Sequence, residues 1–143
     1  MKDIYSNLGV ATVIAPDAYD DDNTPAALDL REFRSALLAI SVGVGGITFS
    51  DSNKIEFKLT HSDDDASYEA VTGADVQGVE NVGTGGIILA LTSEHAAAAT
   101  YKFGYVGGKR YLKLLADFGG SHEEPTPISA VAVLGHPHMA PVG

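Results

Sequence analysis

Lys54-Ile55-Glu56-Phe57-Lys58-Leu59-Thr60 is the stretch that decides the fold. Its apolar side chains stand at 55, 57 and 59, and polar ones at 54, 56, 58 and 60. A period of two puts every apolar group on one side of an extended chain. The stretch is therefore a strand with one dry and one wet face. Downstream, Ser62-Asp63-Asp64-Asp65-Ala66-Ser67 reads as a turn, because Asp and Ser side chains bond nearby backbone amides. A short strand around Tyr68–Val71 then completes a hairpin.

The same reading extends in both directions. Ile87-Ile88-Leu89-Ala90-Leu91 is a short apolar run between Gly85-Gly86 and Thr92-Ser93. From Thr100 to Val106, Tyr101, Phe103 and Tyr105 share one face, with Lys102 and Gly104 opposite. Gly107-Gly108 is a two-residue hairpin signal, since both glycines accept positive φ. Arg110 to Phe118 is then the return strand, with Leu112, Leu114 and Ala116 on one face. Ile128 to Leu134 and Leu37 to Val44 are apolar on both faces, as expected of central strands or of strands covered by another subunit. Leu28-Asp29-Leu30 is a short strand, and Glu94 to Ala99 is a brief helix too short to stand alone. About eight strands at short intervals, with no strand–helix alternation, predict an all-β antiparallel sandwich of jelly-roll type.

Residues 1–26 hold Pro16, Asp17, Asp20-Asp21-Asp22, Asn23 and Pro25 and read as an extended N-terminal arm. Residues 27–135 form the sandwich. Residues 136–143, with Pro137 and Pro141, are an extended C-terminal tail. Arms that cannot build a core of their own often order against a neighbour.

Composition narrows the function classes. The 143 residues carry 9 Lys and Arg against 19 Asp and Glu, a net charge of −10, with 45% hydrophobic and 20% charged residues. That suits a single globular domain and is too apolar for disorder. Nucleic-acid binding needs clustered cations, whereas Lys109-Arg110 is the only adjacent basic pair, so neither nucleic acid nor an anionic membrane is expected as partner. Zero cysteines remove disulfides, thiolate nucleophiles and Cys-type zinc sites together. The start, Met1-Lys2-Asp3-Ile4-Tyr5-Ser6-Asn7, lacks the pattern of a secretory signal. The longest mostly apolar stretch, 36–47, is broken by glycines and too short to span a bilayer. The expectation is a soluble product made in the cytoplasm.

No motif nominates a catalytic, cofactor-binding or metal-ligating residue. Asp20-Asp21-Asp22 and Asp63-Asp64-Asp65 lack the alternating spacing of a calcium loop and read as solvated turns. Histidines stand at 61, 95, 122, 136 and 138, and only His136-Pro137-His138 resembles a chelate, without a third ligand. There is no Gly-x-Ser-x-Gly elbow. Gly43-Val44-Gly45-Gly46 and Gly83-Thr84-Gly85-Gly86 lack the Lys and the following helix of a phosphate loop, so they read as turns or bulges. Tyr101, Phe103 and Tyr105 are either core or, if exposed, a sugar-stacking strip.

Four blocks carry a resemblance. Leu28-Asp29-Leu30-Arg31-Glu32-Phe33 before an apolar strand, Lys58 through Tyr68, Gly104 through Tyr111, and Val133 through Pro141 resemble, in order over roughly 28–142, small tailed-bacteriophage virion structural proteins. Those of the capsid decoration or cement type are meant. The resemblance implies a non-enzymatic particle component in the virion, a homo-oligomer bound to the major capsid protein, with no cofactor. A neck or tail protein of the same particle is the alternative within that class. The turn at 62–65 with Tyr68 also resembles discoidin-like and carbohydrate-binding sandwiches, which keeps a glycan-binding adhesion module as a further alternative.

Overall fold

The computed structural model describes residues 1–93 and 97–142. Among them run ten strands: β1 Gly9–Tyr19, β2 Leu28–Asp29, β3 Phe33–Val42, β4 Lys54–Ser62, β5 Glu69–Ala70, β6 Val76–Gln77, β7 Ile87–Leu91, β8 Ala99–Tyr105, β9 Tyr111–Gly119 and β10 Thr126–Pro137. The only helical element among the described residues is a 3₁₀ turn, Tyr5–Asn7. One sheet has the order β1-β10-β3-β8-β6; the other runs β2-β9-β4-β5, with β7 also pairing with β4. All pairs are antiparallel. Without the two-residue β5 and β6, the sheets read β1-β10-β3-β8 and β2-β9-β4-β7. That is the interleaved order of an eight-stranded jelly roll.

Alternation dictates the core. On β3, Ala36, Leu38, Ile40 and Val42 point inward, and on β10 so do Ile128, Ala130, Ala132 and Leu134. Facing them from the other sheet are Ile55, Phe57 and Leu59 of β4 and Leu112, Leu114 and Ala116 of β9. Each large apolar side chain removed from water contributes about 1.5–3 kcal/mol, so these two faces dominate the fold's stability. The period of two read at 54–60 is thus the period of the buried face.

The N-terminal arm needs correction. Gly9–Tyr19 is a strand along β10, so the sandwich begins near residue 9 rather than 27. Two register shifts, between Thr12 and Ile14 and between Ile14 and Asp17, break its alternation. Those bulges hide the strand from a period-two search. The following 20–27 segment crosses to the second sheet and seals it. Asn23 donates to the Leu114 carbonyl at 3.2 Å and accepts from the Ala116 amide at 2.7 Å, while Asp22 accepts from Phe118 N–H at 2.7 Å. Two side chains thereby continue the ladder along the β9 edge where the short β2 stops, and so blunt an edge that would otherwise recruit another strand.

Other boundaries shift as well. β10 extends through His136 and Pro137, and beyond it the chain folds back, His138 N–H on the Glu32 carbonyl and Val142 N–H on that of Ser6. The tail from 136 is therefore partly strand and partly docked. Gly107-Gly108 does not close a hairpin: β8 belongs to one sheet and β9 to the other, so the glycines serve a crossing between sheets. The sequence pair looked like a hairpin because positive φ at Gly108 serves either kind of reversal. The brief helix over 94–99 lies outside the described residues at 94–96, and Ala99 opens β8.

The glycine run before β7 is a turn, with Gly86 at φ +85 and its missing Cβ direction only 2.3 Å from the Leu59 carbonyl oxygen. Gly86→Ala is expected to cost at least about 2 kcal/mol through strain and clash. Gly73→Ala, where a Cβ meets nothing within 4 Å, stays within about 0.5 kcal/mol. Urea unfolding compares the two. In the same assay Asn23→Ala loses about 1–3 kcal/mol from its two ladder bonds.

Candidate functional site

Two surfaces differ sharply in chemistry. On the outside of the β2-β9-β4 sheet, charged groups alternate and pair. Lys58 binds Asp117, Lys54 lies 3.5 Å from Glu56, and Lys113 sits 4.2 Å above the Tyr68 ring. On the outside of the other sheet, register sets Val10, Val133, Leu37, Gly104 and Gln77 in one row across all five strands. The next row is Thr12, Val131, Ala39 and Lys102, and the one after holds Ser129, Ser41 and Thr100. Across β1, β10 and β3 these rows contain no charge. Val10 is 72% exposed. A groove of about 500 Å³ runs over the first row, walled by Leu8, Leu37, Val133 and Pro137.

A third surface lies at one end of the sandwich, where β3 and β9 begin and β8 ends. A cleft of about 480 Å³ opens there between residues 30–36 and 105–110, with Asp63 at its rim. Leu30, Phe33, Ala36, Tyr105 and Val106 give it apolar lining, and Arg31, Arg34, Lys109 and Arg110 surround it with cations. These include all three arginines of the chain. Basic residues that look scattered in sequence are gathered here by the β2–β3 turn and the β8–β9 crossing.

The cations are held unequally. Arg110 makes a two-pronged pair with Asp29, at 2.9 and 2.8 Å, which holds that carboxyl down at a pKa of about 2. Lys109 binds Glu69, and each drives the other toward its charged form. Among the described residues the Arg31 guanidinium pairs only with its neighbour Glu32, at 3.1 Å, with both side chains about two-thirds exposed (65% and 67%), while its backbone N–H donates to Asp29. Such a pair is worth little in water. Arg34 is exposed and pairs with no carboxylate among the described residues.

Beneath the cleft a polar brace joins the sheets. Buried His61 of β4 meets the Tyr105 hydroxyl of β8 through Nδ1 at 2.9 Å. The Lys109 amide donates to that hydroxyl at 3.0 Å. While it accepts from Lys109 the hydroxyl can still donate to a neutral Nδ1, and Nε2 on the far side of the ring lies 3.5 Å from Glu69. Burial pushes the Tyr105 phenol up. With its oxygen engaged on both sides, Tyr105 is a structural brace.

The other sequence candidates do not converge. Asp64 accepts from Ser62, Ala66 and Ser67, which holds it at about 2; Asp65 accepts from Tyr68, and Asp63 faces Lys109 at 3.8 Å. Each carboxylate of that triplet thus serves its own turn. At 20–22, Asp21 caps the Asp22 amide and Asp22 binds β9. His136 meets Ser35 at 2.9 Å, and His122 lies between Phe49 and Phe118. His95 is outside the described residues. Among the described residues no three His, Asp or Glu side chains group to hold a metal. Phe103 and Tyr105 face the core and Tyr101 packs against it, so the aromatic strip is no exposed sugar platform.

Tyr105→Phe strands His61 Nδ1 and the Lys109 amide together. It is expected to lower stability by about 1–3 kcal/mol in urea. Tyr101→Phe, which removes a hydroxyl outside this brace, serves as the near-neutral control.

Among the described residues no helix is long and apolar enough to cross a membrane. No family model and no curated protein matches the chain. Among solved structures, the crystal structure of the SPBc2 prophage-derived protein YomS is similar, with a TM-score of 0.47 and 13% identity. The alignment covers 91% of this chain and 94% of that one.

Proposed function

We propose that this protein is a non-enzymatic structural component of a tailed-phage or phage-derived particle, a decoration or cement protein seated on the major capsid protein. The outer rows of β1, β10 and β3 from Val10, Val133 and Leu37 to Ser129 and Ser41 carry the reading: they hold no charge, and Asp17 stands only at their far edge. In a chain of net charge −10, dense contact with another protein, or with a second copy, is least costly where no carboxylate must be desolvated. The rows through Val10, Val133 and Leu37 offer such a surface on rigid strands. The ordered sequence blocks that resemble small phage virion proteins supply the setting. A docked oligomer engaging several sites at once multiplies modest contacts, which suits a shell of repeated subunits.

In this role the sandwich works by shape and does no chemistry. The paired charges on the opposite sheet keep that side wetted and outward. Their alternation is poor material for an interface core, which is depleted of charge.

The test uses capsids of the phage that encodes the chain. Native protein is expected to co-sediment with expanded shells and to be found in purified virions by mass spectrometry. Val10→Glu with Val133→Glu buries charge in the contact, and bound protein is expected to fall about tenfold or more, with the melting temperature little changed. Unimpaired binding of that variant overturns the face. Absence of the native protein from virions overturns the setting, and density confined to one vertex assigns the chain to the neck or tail.

A further inference from the structure

We infer that the arginine cleft at the β2–β3 end is a docking site for an acidic, extended segment of a partner protein, with one apolar residue of that segment seated on the cleft's lining. The argument begins with distribution. Nine cationic side chains serve the whole chain, and four of them, including every arginine, surround this one cleft. Asp29, Glu32, Asp63 and Glu69 stand beside these four cations and leave the cleft close to neutral. The remaining 15 acids and 5 cations of the chain (19 − 4 and 9 − 4) sum to −10, so this is where an acidic segment is repelled least.

Availability comes next. Lys109 and Arg110 are spoken for by Glu69 and Asp29, and they form a fixed wall. Arg34 has no carboxylate partner among the described residues, and Arg31 has only the weak exposed contact with Glu32. Guanidinium groups bind carboxylates in a planar, two-pronged fashion, so these two are the free forks of the site. They stand three residues apart at the entry to β3, on a strand end whose backbone is fixed by pairing with β10 at Phe33.

The lining selects the kind of ligand. Leu30, Phe33 and Val106 present apolar surface between the charges, over the buried Ala36 and Tyr105, and a small inorganic anion leaves that surface uncovered. A polyphosphate chain likewise leaves the lining uncovered and brings more charge than Arg31 and Arg34 can meet. A segment of a few carboxylates around an apolar side chain satisfies the free arginines and covers the lining, with the rim acids limiting how many charges it can carry. This site opens at the sandwich end; its lining adjoins that of the outer-face groove at Ser35 and Ala36 but includes neither Val10 nor Val133, and it does not depend on the capsid reading.

Fluorescence anisotropy with a short labelled peptide alternating glutamate and leucine tests it on the full chain. Native protein is expected to bind, more weakly as salt rises. Arg34→Gln combined with Arg31→Gln is expected to bind about tenfold more weakly. Both side chains are on the surface, and circular dichroism verifies the fold. Val10→Glu is expected to bind the peptide like the native chain, which separates failure here from failure of the outer face. Equal affinity in the arginine variants, equal binding of the matching glutamine–leucine peptide, or full displacement by inorganic phosphate at the peptide's own concentration each overturns the assignment.

Discussion

Everything in this molecule depends on the contact between two inner faces, β3 and β10 against β4 and β9. Phe57, Leu38, Ile40, Ile55, Leu59, Leu112 and Leu114 are each essentially sealed from water. Removing one large member leaves a cavity that close-packed neighbours cannot fill, at a cost of about 2–5 kcal/mol. With that contact in place, the outward side chains of the same strands are fixed in register. The surface pattern is therefore a consequence of the core pattern and inherits its rigidity.

Interleaved topology makes this contact hard to open piecemeal. Neighbours in each sheet come from distant parts of the chain, β1 beside β10 and β2 beside β9. The connections must cross between sheets, and the crossings are where polar side chains take over from the ladder. Asn23 and Asp22 do so along β9, and the His61–Tyr105 bond does so under the β8–β9 crossing. A sheet edge and a sheet end, the two weak places of a sandwich, are thus each closed by side chains rather than by more strand.

The parts of the fold that were legible in the sequence are those where alternation is unbroken. Lys54–Thr60 alternates because β4 has β9 on one side along its whole length, and Arg110–Phe118 does so for the reciprocal reason. The doubly apolar character of 37–44 and 128–134 marks strands central in their sheet whose outer faces are left uncharged. β1 was illegible because its two bulges put Val13 and Ile14 out of phase. The hairpin misreading at Gly107-Gly108 has a different cause: a turn signal specifies a reversal but not which sheet receives the returning strand. The cleft was hidden for the same reason, since residues 31 and 34 meet 109 and 110 only through that crossing.

Charge placement links core and surface in a way composition alone conceals. A net charge of −10 suggests uniform repulsion, yet the fold sorts it. One sheet's exterior neutralises itself by pairs such as Lys58 with Asp117, the rows of the other carry no charge across β1, β10 and β3 and meet Lys102 on β8, and the arginines are collected at one end. Pairing along β4 and β9 keeps that exterior hydrated, because separating those pairs to dry it strands both charges. The uncharged rows over Val133 and Leu37 have no such barrier. The same chain therefore presents one face that resists close protein contact and one that permits it.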